Sequence, residues 1–123
     1  MKFSALSAAA LIAATCSLGT AQAQTLEAAS AKKVMSGATI TGTNSFGNPY
    51  SVTFASNGSV SGVAGLNNEF TDTGSWWMDG AKFCRQYKSW FEAKAACFGI
   101  STEAGVVRFH SANGAVIDQA RLK

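Results

Sequence analysis

Three dipeptides, Asn57-Gly58, Asp79-Gly80 and Asn113-Gly114, each stand between short runs rich in β-branched and aromatic residues. Tight hairpins need left-handed backbone, and asparagine, aspartate and glycine are the residues that adopt it most cheaply. Such pairs, repeated along one chain, demand strands that fold back on their immediate neighbours. The runs around them fit. Tyr50 to Ser56 alternates Tyr50, Val52 and Phe54 against Ser51, Thr53 and Ala55, the period of a half-buried strand. Ala38–Thr43, Ser59–Val63, Gly74–Met78, Ala81–Lys88, Ala93–Ser101, Val106–Ser111 and Ala115–Leu122 complete about eight strands. Asn44 to Pro49, Ala64 to Thr73 and Ser89 to Glu92 read as connections, with Phe70 a possible strand start. The expected fold is mainly β: an antiparallel up-and-down meander curled into a small barrel or half-barrel.

One segment departs from this texture. Leu26 to Met35 carries alanine and lysine, with Thr25 placed as an N-cap and Gly37 just beyond the end. Leu26, Ala29, Lys33 and Val34 give a weak apolar stripe. The expectation is one short helix that plugs or covers an open edge of the sheet.

The N-terminus fixes the expected compartment. Lys2 precedes an uncharged apolar run from Phe3 to about Leu18, and Ala21-Gln22-Ala23 places small residues where a leader peptidase reads them. Residues 1–23 therefore read as a secretory signal peptide, and 24–123 as a single β-rich domain. The domain is expected in the periplasm or outside the cell, with no membrane span in the mature chain. Cys16 leaves with the leader unless it is a lipid-attachment site, for which Thr15 is a poor preceding residue. A formal charge of +3, or +2 without Lys2, and the absence of a basic run argue against a nucleic-acid partner.

Cys84 and Cys97 remain, an even count in an oxidising compartment, and a disulfide follows. With His110 as the only histidine, the inventory is short of a structural metal site, and no cofactor is implied. The cysteines lie in the densest part of the chain, Gly74 to Gly99, which holds all the tryptophans. A two-residue turn at Asp79-Gly80 would pair Met78 with Ala81, Trp77 with Lys82, Trp76 with Phe83 and Ser75 with Cys84. Facing cysteines would then pair Phe83 with Phe98 and Arg85 with Ala96. Trp76, Met78, Phe83 and Phe98 gather on one face, expected to be the core. Trp77, Lys82, Cys84 and Cys97 gather on the other, with Lys82 placed for a cation–π contact with Trp77.

Arg85 falls on the core face, with Tyr87 one step along. Either both reach water at a rim, or they line a ligand pocket. Trp77, Trp90 and Phe91 are the aromatic candidates for ligand contact. Trp90-Phe91 lies in a connection, where it either folds back onto the barrel end or stays available to a ligand.

Catalytic patterns do not emerge. Gly58-Ser59-Val60-Ser61-Gly62 leaves a turn along a strand and is not a nucleophile elbow. The carboxylates are scattered, and phosphate-, dinucleotide- and calcium-binding motifs are missing. His110 is expected to be an exposed or half-exposed strand residue that faces Ile117 and shares a side with Arg108.

Gly74-Ser75-Trp76-Trp77, Cys84-Arg85, Trp90 and Cys97-Phe98, preceded by the strand leading from Gly47 to Tyr50, resemble small exported proteobacterial β-rich domains of unknown function. Those share a Gly-x-Trp…Cys…Cys core pattern. The resemblance implies a periplasmic β-rich domain and carries over no catalytic residue. The expectation for function is a non-enzymatic binding or interaction module whose partner is an unknown protein, glycan or small ligand of the envelope. The alternative is an inhibitor of a secreted or periplasmic hydrolase. An enzyme would require Arg85, Tyr87 and His110 to converge on one cleft.

Overall fold

The computed structural model describes residues 24–123; the leader reading and Cys16 lie outside the described residues. Helix α1 (Ala28–Met35) is followed by β1 (Ala38–Thr43), β2 (Pro49–Phe54), β3 (Ser59–Ala64), β4 (Phe70–Asp79), β5 (Lys82–Tyr87), β6 (Ala96–Glu103), β7 (Val106–His110) and β8 (Val116–Leu122). The strands form one closed antiparallel barrel in sequence order. The seam is short: β1 meets β8 through Ile40↔Leu122 and Thr41↔Arg121, extended by the Lys123 amide donating to the Thr39 carbonyl at 2.9 Å. Closure leaves no sheet edge for the helix to cover.

Helix α1 instead plugs one end of the barrel, the base. Its buried residues are Ala31 and Met35, at i and i+4, while Ala29 and Lys33 of the expected stripe are exposed. The helix starts later than expected, with Glu27 as N-cap and no side-chain cap bond. Thr25 is drawn away from the capping role because its methyl packs against Gly99, and the Leu26 amide donates to the Ile100 carbonyl at 2.7 Å. The floor of the core lies above Met35, where Phe83 meets Phe54 edge-on (centroids 5.0 Å apart) and flanks Trp76 at 5.7 Å and Phe109 at 6.1 Å.

The β4–β5 hairpin has the expected faces and a different register. Observed pairs are Asp79↔Lys82, Met78↔Phe83, Trp77↔Cys84 and Trp76↔Arg85. The turn is Gly80-Ala81, with φ +60° at Gly80 and no positive φ at Ala81. Glycine thus takes the first central position, the requirement of a type II′ turn, in place of the second position of a type I′ turn. Moving the turn by one residue moves every pair by one position on both strands, so the parity of the faces survives. Trp76 is 6% exposed and Trp77 39%. Lys82 is displaced to face Asp79, and Trp77 faces Cys84, so the expected Trp77–Lys82 pairing does not form.

The two Asn-Gly hairpins also differ from two-residue turns. Ala55 N–H donates to the Ser59 carbonyl and Ser111 N–H to the Ala115 carbonyl, closing loops of residues 56–58 and 112–114. Gly58 (φ +94°) and Gly114 (φ +91°) supply the left-handed last position. Asn57 Oδ1 and Asn113 Oδ1 accept from the Ser59 and Ala115 amides, which holds each turn from within.

Cys84 and Cys97 form the disulfide between β5 and β6, with their Cα atoms 4.0 Å apart. It sits in the middle of a ladder only three pairs long, Phe83↔Phe98, Cys84↔Cys97 and Arg85↔Ala96. A short ladder gives little cooperative hydrogen bonding, and the covalent link offsets this between β5 and β6.

Candidate functional site

The end opposite the helix, the mouth, is open. A cavity of about 1120 Å³ runs from it into the barrel, reaching down to Phe54, Phe83 and Phe109. Phe98, Val52 and Ile40 add to its apolar walls, while Tyr50, Arg85, Tyr87 and Asp118 place polar groups in its upper part. Inward-facing strand positions that carry small residues make this room. On β3, Gly62 and Ala64 bring no large side chain into the barrel, and Trp90 takes the space beside Gly62, while Gly74 on β4 is packed against the β5 backbone at Gln86 and Tyr87.

Trp90 and Phe91 reach the mouth from the loop between β5 and β6. The turn at Trp90–Ala93 contains three consecutive non-glycine residues with left-handed φ, Phe91 (57°), Glu92 (58°) and Ala93 (60°). Each such residue costs roughly 1–2 kcal/mol, so the conformation persists only where its surroundings impose it. Asp72 on β4 accepts from the Ser89 amide (2.9 Å) and the Trp90 amide (2.7 Å). Gln86 Nε2 donates to the Ala93 carbonyl at 2.9 Å. The disulfide closes the segment that carries the turn. For Asp72, partial desolvation pushes the carboxyl pKa up, but amide hydrogen bonds from Trp90, Ser89 and Thr73 together hold it below the ordinary value. The carboxylate therefore stays ionised and keeps its grip on the loop.

Within this frame Trp90 folds inward. Its ring lies against Gly62 and 5.4 Å from the Tyr87 ring. Phe91 turns outward and is 61% exposed, yet its ring lies 4.1 Å from the Arg85 guanidinium. Arg85 also stands 5.4 Å from the ring centres of Tyr87 and Phe98. Its only hydrogen bond among the described residues is a long one, Nη1 to the Lys94 carbonyl at 3.3 Å. No carboxylate of the described residues forms an ion pair with it; the pairs present are Lys94–Glu92 and Arg108–Glu103. Burial pulls its pKa down, while Tyr87 and Asp118 oppose that shift. Burial likewise pushes the Tyr87 phenol up to about 12, against the attraction of Arg85. Burial, then the charge of Asp118, raises Tyr50. Both phenols hold their protons at neutral pH and can donate into the cavity.

The structure thus brings Arg85, Tyr87, Trp90 and Phe91 to one cavity. Trp77 does not join them: it lies on the outer wall near the base, opposite Cys84. Phe46, Phe70 and Ile117, exposed apolar residues that line the cavity with Phe91, were not singled out by the sequence as site residues. Asp118 and Tyr50 were missed as well. In β8 the register shifts between Phe109↔Asp118 and His110↔Val116, which leaves Ile117 as the extra residue of a bulge. His110 therefore faces Val116, not Ile117.

His110 also departs from the exposed position expected of it: it is 3% exposed. It points away from the cavity, beside Gly99 and Thr25 on the outer side of β6, so Arg85, Tyr87 and His110 do not converge. Its Nδ1 lies 2.9 Å from the Gly114 carbonyl, which can only accept, so Nδ1 carries the proton. Nε2 shares a hydrogen bond with the Ser101 hydroxyl at 2.6 Å. The pair has the contacts of a nucleophile and its base, but Ser101 is 2% exposed and out of reach of a substrate. It serves to tie β6, β7 and the mouth loop together.

Among the described residues no group of three or more His, Cys, Asp or Glu side chains is placed to hold a metal ion. No described helix is long and apolar enough to cross a membrane. No protein-family model matches the chain, and no curated protein does.

Proposed function

We propose that this domain is a non-enzymatic binding module of the cell envelope that takes a small, largely apolar ligand into the open end of its barrel. The observation that carries this reading is the cavity: about 1120 Å³, aromatic-walled, plugged at the base and open at the mouth. Eight-stranded barrels have an interior wide enough either to be filled by side chains or to hold one small ligand. Here the open cavity, with the small Ala64 in its wall, favours the second outcome. Apolar walls with a few convergent polar groups are the usual make-up of a small-molecule site. The leader-like N-terminus and the disulfide support placement outside the cytoplasm. Titration of the oxidised protein with an uncharged apolar probe such as decanol tests the reading, followed by calorimetry and by the indole resonance of Trp90. Saturable one-to-one binding that perturbs Trp90 is expected. Absence of binding, or binding that leaves Trp90 unchanged, overturns it.

A second reading, inhibition of an envelope or secreted hydrolase, is favoured by one feature. The Trp90–Ala93 turn is strained, anchored from both sides, and presents Phe91 to solvent. Preorganised loops of this kind lose little entropy on docking. Under this reading a secreted hydrolase is inhibited stoichiometrically, and Phe91→Ser abolishes the inhibition without altering the melting temperature.

A further inference from the structure

The upper cavity holds a cation that forms no ion pair among the described residues. Arg85 leaves β5 toward the interior, one inward position above Phe83, and its guanidinium lies near the mouth, beneath Phe91. A guanidinium presents five N–H donors in a planar fork that matches a carboxylate. Among the described residues only Nη1 has an acceptor, at 3.3 Å. The aromatic rings of Tyr87, Phe91 and Phe98 surround it and hold it in place without neutralising it. Structural arginines that are half-buried ordinarily find a carboxylate. Of the acids that line the cavity, Glu92 is paired with Lys94 at 3.2 Å, and Asp118, on β8, acts on Arg85 through space without forming an ion pair with it. Below this level the cavity becomes wholly apolar, through Phe98 and Phe109 to Phe83 and Phe54. Tyr50 and Tyr87 add phenolic donors at the height of the guanidinium, and neither hydroxyl has a hydrogen-bond partner among the described residues.

We infer that the ligand is an amphiphile with a single negative charge, its carboxylate held by Arg85 at the mouth and its apolar body directed down toward Phe83 and Phe54. The inference rests on the proposal that the barrel binds a small ligand, and it adds the chemistry of the head group. A single charge is specified by Asp118, which lines the same cavity and would repel a dianionic head. The size of the apolar body is set by the wall: four residue steps lead from Tyr50 at the mouth to Phe54 at the floor, about 13 Å at the rise of a strand. That span suits a medium-length acyl chain or one to two aromatic rings, rather than a long-chain lipid.

A matched series of ten-carbon ligands separates the two layers of the argument. Decanoate, decanol and decylamine are titrated into the oxidised protein by calorimetry at neutral pH. Decanoate is expected to bind at least about tenfold more tightly than decanol, with decylamine the weakest. Arg85→Gln is expected to remove the preference for decanoate while leaving the affinity for decanol within about twofold. Retained decanol binding shows that the variant is folded. Should Arg85→Gln fail to fold, Arg85→Lys serves in its place, with the preference reduced but present. Asp118→Asn is expected to raise decanoate affinity several-fold and leave decanol unchanged. Equal binding of decanoate and decanol, or a preference that survives Arg85→Gln, overturns the head-group assignment and leaves the ligand-binding barrel standing. No binding by any of the series overturns the barrel reading itself, and this inference with it.

Discussion

The indole of Trp90 lies so close to Gly62 that a β-carbon on the glycine would come within 2.6 Å of the ring. The two residues are 28 positions apart and belong to different parts of the wall, β3 and the loop after β5. Their contact is what carries the loop into the mouth, and it depends on Gly62 having no side chain.

Gly62→Ala should therefore act on the mouth more than on the barrel. The added methyl would also approach Val52 at 3.2 Å, and neither the ring nor the strand can give by enough to accept it in place. Overpacking of this kind costs about 1–3 kcal/mol. Because Trp90 is on a loop, the cheaper relaxation is for the indole to swing out. The expected result is a stability loss at the low end of that range, with the Trp90 indole N–H resonance, assigned through Trp90→Phe, moving to an exposed position. An unmoved resonance together with a large stability loss would place the strain in β3 instead.

The disulfide bears on the same loop. Cys84 is fully buried while Cys97 is exposed, so the bond is open to reductant from one side. It closes a segment with a sequence separation of 13 and should contribute about 3 kcal/mol through the unfolded state. For a domain of this size that corresponds to a fall in melting temperature of roughly 12–24 °C on reduction or in Cys84→Ala/Cys97→Ala. The loss should come with faster amide hydrogen exchange at 88–95 than at β1 to β3. Uniform acceleration across the barrel would mean that the bond does not specifically support the mouth.

How far the sequence carried can be read from the same hairpin. Which of Trp76 and Trp77 is buried followed from the alternation of side chains along a strand, a property of the backbone alone. The pairing did not follow, because Gly80 supplies left-handed backbone equally well at either central turn position, and only the surrounding packing chooses. The cavity was hidden for a different reason. Gly62 and Ala64 weaken strand propensity wherever they occur, and a sequence does not say whether the space they leave is filled by a distant side chain or left open. Arg85 on the inner face was legible as an anomaly, but its missing partner was not, since that depends on where Asp118 and Glu92 end up. His110 read as a surface residue because its cover, Thr25 on Gly99, comes from the opposite end of the chain.

Ser101 and His110 form a structural pair, so their loss should affect stability and leave the cavity alone. Ser101→Ala deprives the buried Nε2 of its hydrogen-bond partner, and a buried unsatisfied group costs about 1–3 kcal/mol. His110→Ala costs more, about 2–4 kcal/mol, since it opens a void and strands both the Ser101 hydroxyl and the Gly114 carbonyl. The double variant should fall short of the sum by about 1 kcal/mol, because each single change already breaks the shared bond. Urea unfolding gives these values, and the affinity for decanol should stay within twofold throughout. A fall in affinity without a fall in stability would tie the pair to the site.

Alkaline unfolding isolates Tyr87. Burial raises its phenol to about 12, with Tyr50 and Asp72 adding to the shift and Arg85 opposing it. The unfolded chain releases the same proton near the ordinary value of about 10. Below that value both states hold the proton and the contribution to stability is complete. Between about 10 and about 12 only the unfolded state gains by ionising, so stability falls as pH rises. Two units amount to about 3 kcal/mol at the upper end. Tyr50, the other tyrosine, shifts in the same direction and adds to the loss. Urea unfolding at pH 8, 10, 11 and 12 should show a steepening decline in the native protein and a shallower one in Tyr87→Phe, the two curves diverging only above pH 10. In Tyr50→Phe, where Tyr87 is the remaining tyrosine, the absorbance of tyrosinate in the folded protein should stay absent through pH 10 and appear together with loss of structure. Parallel curves for the two proteins, or tyrosinate formed at pH 10 with the barrel intact, would mean that Tyr87 is in free exchange with solvent and that the mouth is wider than its aromatic lining implies.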